Sequence, residues 1–387
     1  MELKYVILKQ GDIAGQIGRV LDMKTALVLN SRQGKRPSGG DEWMRQTARA
    51  LDELIGRGYT ILSSLEMKTY EFAVWYAGSH GGRLAVFVPV YGGEDARGET
   101  LRCMTGFDLD SRRTVFFPYV TDIPRQRHKD LWPERDAALI GTADVIAPVS
   151  IRPGGNLETL LAGVPSEKIL REFTIEYPSG HPVKQAEFPE ATGKSLPGWD
   201  CLTHWTSSSN GPFPGETPAE YYESVFRDTG RFSHSALHAL ARIIGTGVIY
   251  AGCDGIRGGS RAVSFTADDP CESIGRMFWR SRRQRYTFEP YGIAFDREWM
   301  AANGARPVIY GADEDYDEMD ERDRPYFQSS GRDNRWKSER EWRFAGDLRL
   351  RDAPPDKVRL IVPSSADAEL LRENAGDIPF EAIILLS

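Results

Sequence analysis

Cysteine is scarce. The 387 residues hold four, Cys103, Cys201, Cys253 and Cys271, and no two of them form a CxxC pair. Such spacing supplies neither a zinc knuckle nor a disulfide framework, and it fits a reducing compartment. Long apolar runs are lacking as well: nothing approaches the ~20 residues of a membrane-spanning helix. The opening run Met1-Glu2-Leu3-Lys4-Tyr5-Val6-Ile7-Leu8 is strand-like and lacks the charged-then-apolar layout of a signal peptide. A cytoplasmic protein with no membrane partner is expected. Positive charge is also in short supply. The net charge is −7, so any nucleic-acid contact has to come from a local basic patch.

Hydrophobic residues make up 40% and aromatics 11% of the chain, enough for two packed cores, and the length predicts two domains. From Thr25 to Gly163 strands and helices alternate. Strands are expected at Thr25–Leu29, Tyr59–Leu62, Leu84–Val88, Val115–Phe117 and Ala143–Val149. Helices are expected at Asp41–Gly56, Lys68–Ser79, Asp130–Ile140 and Asn156–Ala162, with Asp41 as N-cap of the first. This alternation predicts βαβ units and a parallel, Rossmann-like sheet over residues 1–176. Ile169–Tyr177 is a further candidate strand. The Pro-, Gly- and Ser-rich stretch 177–199 reads as a linker.

Residues 200–387 follow an α+β pattern. Helices are expected at Ser233–Ile244 and Cys271–Arg285. Short strands are expected at Gly247–Ala251, Ala262–Thr266, Gly292–Phe295, Pro307–Tyr310, Glu341–Phe344, Val358–Val362 and Ala382–Leu385. The run Asp313–Arg324 carries eight acids in twelve residues. It is read as a solvated loop rather than a cation site, and no metal is expected.

Three corners in the first half carry the functional signal. Leu29-Asn30-Ser31-Arg32 ends one strand, Ser63-Ser64 with the later Glu71 ends another, and Pro153-Gly154-Gly155-Asn156 follows a third. Unpaired N–H groups at such strand-to-helix corners attract anions. Asn30, Ser31, Arg32, Ser64, Glu71, Gly154, Gly155 and Asn156 are therefore candidates to hold a nucleotide. Each has a plainer reading beside it. Ser31 is also a turn cap, Arg32 and Glu71 are also surface charges, and the two glycines also serve a tight turn. Trp43 and Trp75 read as core residues.

Taken together these corners, with Arg135-Asp136 and Ala143-Asp144, resemble the DprA, Smf and LOG-type Rossmann proteins over residues 20–165. The resemblance implies a domain that binds a nucleotide or nucleotide-derived signal. The chain departs from that pattern at Asn30, where the superfamily has glycine. It departs again after the Pro-Gly-Gly turn, where Asn156-Leu157-Glu158-Thr159 replaces the Gly-Thr-x-x-Glu of the cytokinin-activating phosphoribohydrolases. Hydrolase chemistry is therefore not carried over to this domain.

In the second half, His204-Trp205-Thr206, Arg257 and the segment Trp336-Lys337-Ser338-Glu339-Arg340-Glu341-Trp342-Arg343 resemble AbiGi-type abortive-infection proteins over residues 200–362. That resemblance implies a role in phage defence. A His/Thr pair on one strand with a late glutamate also resembles the layout of ADP-ribosyl transferases. There a histidine and a hydroxyl hold the nicotinamide ribose, and a glutamate stabilises the charge that develops as the glycosidic bond breaks. His204, Thr206 and Glu339 or Glu341 are the candidates for those parts, with NAD or another nucleotide as the ligand. The plainer readings are a structural histidine and a Glu341–Arg343 pair.

Arg276, Arg280 and Arg283 fall on one face of the expected 271–285 helix. They would meet phosphate or nucleic acid there, or else pair with the acidic run at 313–323. Three whole-protein readings follow. One is a phage-defence protein that binds a nucleotide in its first domain and acts on NAD, nucleotide or nucleic acid in its second. Another is a non-catalytic DprA-like factor that binds single-stranded DNA. The third is a nucleobase-modifying enzyme that uses the carboxylates of the second domain.

Overall fold

The computed structural model describes residues 3–178, 196, 198–228, 233–253, 256–280, 285–330, 340–375 and 380, and the backbone of 382–385. The chain divides into two compact units. The first comprises Met1–Pro182 with Glu216–Ser233, and the second Val183–Gly215 with His234–Ser387. Most of the 177–199 stretch lies outside the described residues. The class is α/β, with a parallel sheet in the first unit and a largely antiparallel one in the second.

Helix α1 (Ile13–Gly18) opens the first unit. The sheet strands are β1 (Thr25–Asn30), β2 (Thr60–Ser64), β3 (Arg83–Val90), β4 (Thr114–Val120) and β5 (Val145–Ser150). Between and after them come α2 (Glu42–Gly56), α3 (Lys68–Ser79), α4 (Ala96–Gly106), α5 (Trp132–Thr142) and α6 (Asn156–Leu161). Among the described residues the strand order is β4-β3-β2-β1-β5, and every pair is parallel. Both faces of β1 are buried, as a central parallel strand requires. Ala26 and Val28 join a core cluster with α2 and α3, while Leu27 and Leu29 join one with α1 and α5. The order reverses between β1 and β5. In open α/β sheets that crevice, at the carboxyl ends of the strands, is where ligands lodge.

A helix distant in sequence completes this unit. Helix α7 (Pro218–Arg227) packs on α3 through Tyr221, Tyr222 and Val225, all fully buried in the same core. Its start is fixed by a capping box in which Thr217 accepts from Glu220 N, and the Glu220 carboxylate accepts from Thr217 N. Gly39 N donates to the carbonyl of Val225, where a Cβ at Gly39 would collide with Phe226 backbone.

Several expectations shift in detail. Asp41 stands at the N-cap position of α2, but its carboxylate accepts from Ser38 N and closes the preceding turn. Ile169–Tyr177 contributes only the isolated bridges Ile146–Ile169 and Ser150–Ile175, because short 3-10 turns at Ser166–Lys168 and Arg171–Phe173 interrupt it.

The second unit contains β6 (Cys201–Trp205), α8 (Ala236–Thr246), β7 (Val248–Ile249), β8 (Ala262–Thr266), α9 (Pro270–Gly275), β9 (Trp279–Arg280) and β10 (Arg285–Tyr286). It continues with β11 (Gly292–Asp296), α10 (Arg297–Ala302), β12 (Arg306–Pro307), β13 (Ile309–Gly311), α11 (Asp315–Glu318), β14 (Phe327–Ser329), β15 (Glu341–Ala345), β16 (Leu348–Arg349), β17 (Val358–Val362), α12 (Ser365–Ala375) and β18 (Ala382–Leu385). Among the described residues its main sheet runs β12-β15-β8-β6-β11-β17-β18, antiparallel except for the last pair. Helices α8 and α12 cover one face over Leu202, Ile293, Phe295 and Leu360.

The expected helix over 271–285 is overturned. Helix α9 begins on the Asp269 cap and Pro270 and ends at Gly275. Beyond it Trp279 pairs with Tyr286 across β9 and β10, with ring centroids 5.1 Å apart. A cross-strand aromatic pair stabilises a β ladder that a helix would break. Arg276 and Arg280 therefore do not share a helix face, and Arg283 lies outside the described residues. Among the described residues no helix is long and apolar enough to cross a membrane, and no group of three His, Cys, Asp or Glu could hold a metal ion.

Candidate functional site

Strands β2, β1 and β5 are neighbours running in one direction, so the three corners that follow them share one edge of the first sheet. Asn30 lies in register with Ser150 across the strand-order reversal. Asn30 Nδ2 donates to Thr47 Oγ1 at 2.8 Å, but its Oδ1 is buried without a partner, as are Ser150 Oγ and Gln33 Oε1 among the described residues. Buried polar atoms are rarely left so. Ser31 staples the two strand ends: its N–H donates to the Ser150 carbonyl, and its Oγ accepts from Arg152 N at 2.9 Å. Arg32 is exposed, and its carbonyl accepts from Tyr177 Oη.

At the Pro-Gly-Gly turn, Gly154 has φ +69° and Gly155 is the N-cap of α6, whose first residue is Asn156. The Gly154 N–H donates to Glu158 Oε2 at 2.7 Å. The turn thus already receives a negative charge, from its own chain.

At the end of β2, Ser64 is buried and donates to the Phe87 carbonyl, which makes it structural. Glu71 accepts from Glu66 N at 2.9 Å and from Tyr222 Oη at 2.8 Å. Glu66 has φ +71°, a conformation costly for a residue with a Cβ. Arg135, wholly buried, braces this corner. It donates to the Leu65 carbonyl at 3.1 Å, pairs with Asp136 at 2.8 Å, and lies 4.6 Å from the Tyr70 ring. Burial pushes the Glu66 carboxyl above the usual carboxylate range, although a hydrogen bond from Tyr91 opposes the shift.

Lys68, at the start of α3, donates to the Lys35 carbonyl at 2.6 Å and to Tyr221 Oη at 2.9 Å. Burial lowers its ammonium to about 7, against the opposing pull of Glu71. Lys68 and the tyrosines of α7 escaped the sequence reading. The Thr217-Pro218-x-Glu220 capping signature was there to find the helix, but nothing local assigns it to this unit.

In the second unit, His204, Ser264 and Glu341 are carried by the adjacent strands β6, β8 and β15. His204 Nδ1 donates to the Ser264 carbonyl at 2.9 Å, and Ser264 Oγ donates to Glu341 Oε1 at 3.0 Å. Arg343 Nε holds the same carboxylate oxygen at 2.9 Å. The structure brings His204 and Glu341 together through Ser264. Burial pushes the His204 imidazole below its ordinary value. Since Nδ1 carries the proton, Nε2 of the neutral ring is an acceptor.

His204 and Ser264 line a cavity of about 270 Å³ whose other walls include Trp205, Phe278, Phe288, Asp268, Arg276 and Arg280. Trp205 stacks on Phe288 at 5.6 Å. Asp268 is buried and clamped by Arg276 and by Arg340, the latter at 2.5 Å. Arg276 is thus paired with Asp268, and the acidic run takes Arg257 through Asp313 and Arg306 through Asp323. Arg280 lies 5.5 Å from the Phe278 ring, and among the described residues it has no carboxylate partner.

Two transferase candidates are placed differently from His204. Thr206 is buried, its hydroxyl within hydrogen-bond reach of the carbonyls of Ala236 (2.8 Å) and Tyr291 (2.9 Å). Glu341 stands behind Ser264 rather than on the cavity wall. Glu339 lies outside the described residues.

No family model matches the chain, and no curated protein matches it. Among solved structures it is similar to a chain of DNA processing protein A from Helicobacter pylori, described for its single-stranded DNA binding mode. The identity is 14% over 37% of this chain, with a TM-score of 0.28, and the match spans 62% of that chain's length.

Proposed function

We propose that the protein binds nucleotides in both units and acts on one of them in the second. The observation that carries the reading is the His204 cavity. An imidazole with its tautomer set by Ser264 faces a space walled by aromatic rings and by Arg280, a guanidinium without a carboxylate partner among the described residues. Rings suit a base, a guanidinium suits phosphate, and an Nε2 acceptor suits a ribose hydroxyl.

NAD is the proposed substrate, with hydrolysis of its nicotinamide glycosidic bond as the reaction: water adds to the ribose C1, giving up a proton, and nicotinamide leaves with the bonding pair. His204 orients the ribose from the Ser264 main-chain carbonyl, and Glu341 holds the hydroxyl of that same serine. In the first unit, the crevice between the ends of β1 and β5 is proposed to receive a nucleotide-derived signal, with Glu158 displaced from the Gly154 amide as it enters. Phage defence is the setting that the likeness of the second half to AbiGi-type proteins implies.

The test is release of nicotinamide by the full chain, assayed beside thermal stabilisation by ADP-ribose, NAD, cyclic nucleotides and an oligonucleotide. Turnover lost in His204→Ala and Glu341→Gln, but kept in Glu318→Gln on the exposed α11, supports the reading. NAD left intact under all conditions overturns the reaction.

A second reading is single-stranded DNA binding. Phe278 is 53% exposed beside Arg280, and an exposed ring with a cation is how bases are stacked on a protein surface. Stabilisation by the oligonucleotide alone, weakening steeply with salt, selects this reading.

A further inference from the structure

The second unit has another cavity, of about 290 Å³, which shares His204 and Trp205 with the first but opens against α8 and β7. Its walls include Phe213, Tyr250 and Ile243 together with Arg242 and Arg285, and no Asp or Glu among the described residues. Arg285 Nη1 reaches Ser207 Oγ and the Ser208 carbonyl, both at 3.3 Å, so that guanidinium is steered by β6's own extension.

Arg242 is different. Its Nε is buried with no hydrogen-bond partner among the described residues, and Trp205 Nε1 is in the same condition. A buried donor left unmade costs about 1–3 kcal/mol, and more when charged. Arg242, Trp205 and Arg285 line this acid-free cavity together, so two guanidinium groups and an indole ring border a space that favours an anionic ligand. The aromatic walls are set rigidly. Phe213 stacks on His234 with centroids 4.5 Å apart. Gly215, at φ +76°, admits the Tyr250 ring so closely that a Cβ there would meet it at 3.0 Å.

We propose that this cavity is a separate binding site for a nucleoside monophosphate. Arg242 and Arg285 hold the phosphate, and Tyr250 and Trp205 flank the base. The volume suits a mononucleotide, being at the small end of ligand sites. Guanidinium groups suit a phosphate terminus better than a ribose hydroxyl. The site does not require the neighbouring cavity to turn over NAD.

The experiment is calorimetric titration of the full chain with AMP, adenosine and inorganic phosphate at fixed ionic strength. AMP is expected to bind more tightly than either fragment. Arg242→Gln should weaken it by about tenfold or more, while Glu318→Gln, on the exposed α11, should leave it within about twofold. Thr246→Trp, placed on an exposed edge of the cavity, should block AMP while retaining every charge, which keeps the test open if Arg242→Gln fails to fold. Unchanged AMP affinity in Arg242→Gln and Thr246→Trp overturns the proposal. So does absence of AMP binding to the wild type. Failure of NAD turnover sinks the preceding reading and leaves this titration untouched.

Discussion

His204 and Ser264 are joined by a hydrogen bond of 2.9 Å between Nδ1 and the main-chain carbonyl, and the hydroxyl of the same serine reaches Glu341. A carbonyl only accepts, so the bond fixes which ring nitrogen is protonated. Because Glu341 is held by Arg343 as well, whose side chain is almost wholly buried, the line from β15 to the imidazole is braced at its far end.

The first prediction concerns that line. His204→Ala should lower nicotinamide release by roughly 100-fold or more, with the melting temperature of the second unit nearly unchanged. Neutral Nε2 is the working form, and burial depresses the ring's pKa. Activity should therefore hold steady through the ordinary histidine range and fall only at lower pH, as the ring gains its second proton. A pH profile with its acid limb above the ordinary histidine value contradicts the assignment.

Thr206 is expected to behave in the opposite way. Its hydroxyl is spent on main-chain carbonyls, so Thr206→Val should destabilise the fold by about 1–2 kcal/mol with little effect on turnover per folded molecule. Urea titration beside the activity assay separates the two quantities.

In the first unit, Arg135→Met strips the partner from a buried carboxylate and should cost about 3–5 kcal/mol. Arg135→Met with Asp136→Leu should recover part of that loss, since the pair is then replaced by apolar volume. If urea denaturation shows the double variant no more stable than the single, the pair is not the principal bond at this corner.

Lys68 predicts a pH dependence. Burial holds its folded-state pKa at about 7, below the ordinary value of 10.5, so the unfolded chain binds the extra proton between those limits. The penalty is full below about 7 and is relieved as pH rises towards 10.5, so stability should increase over that window. The difference in unfolding free energy between wild type and Lys68→Met, measured from pH 6 to about 10, should show this slope. A flat difference would mean that the amine is solvated.

At the rim, Glu158 occupies the Gly154 amide. Glu158→Gln removes a charge that an incoming phosphate has to displace, so it should strengthen stabilisation by ADP-ribose, whereas Asn30→Leu should abolish it. Thermal shift measurements on both variants check this, and equal shifts in both would separate the ligand from the rim.

The sequence by itself determined the strand-and-helix alternation of the first unit. The alternation of buried strands with helices at Glu42–Gly56 and Lys68–Ser79 is a local periodicity, and the three corners at Asn30, Ser64 and Gly154 followed from it. Tertiary structure decided the rest. Helix α7 belongs with α3, whose residues lie 151–153 positions earlier, because Tyr221 and Tyr222 find their burial and hydroxyl partners there, on Lys68 and Glu71. The 271–285 segment leaves helix for ladder because Trp279 gains a cross-strand ring that no helical neighbour supplies. The join of His204 to Glu341 depends on β8 lying between their strands. Strand order is a matter of long-range pairing, which spacing along the chain does not encode.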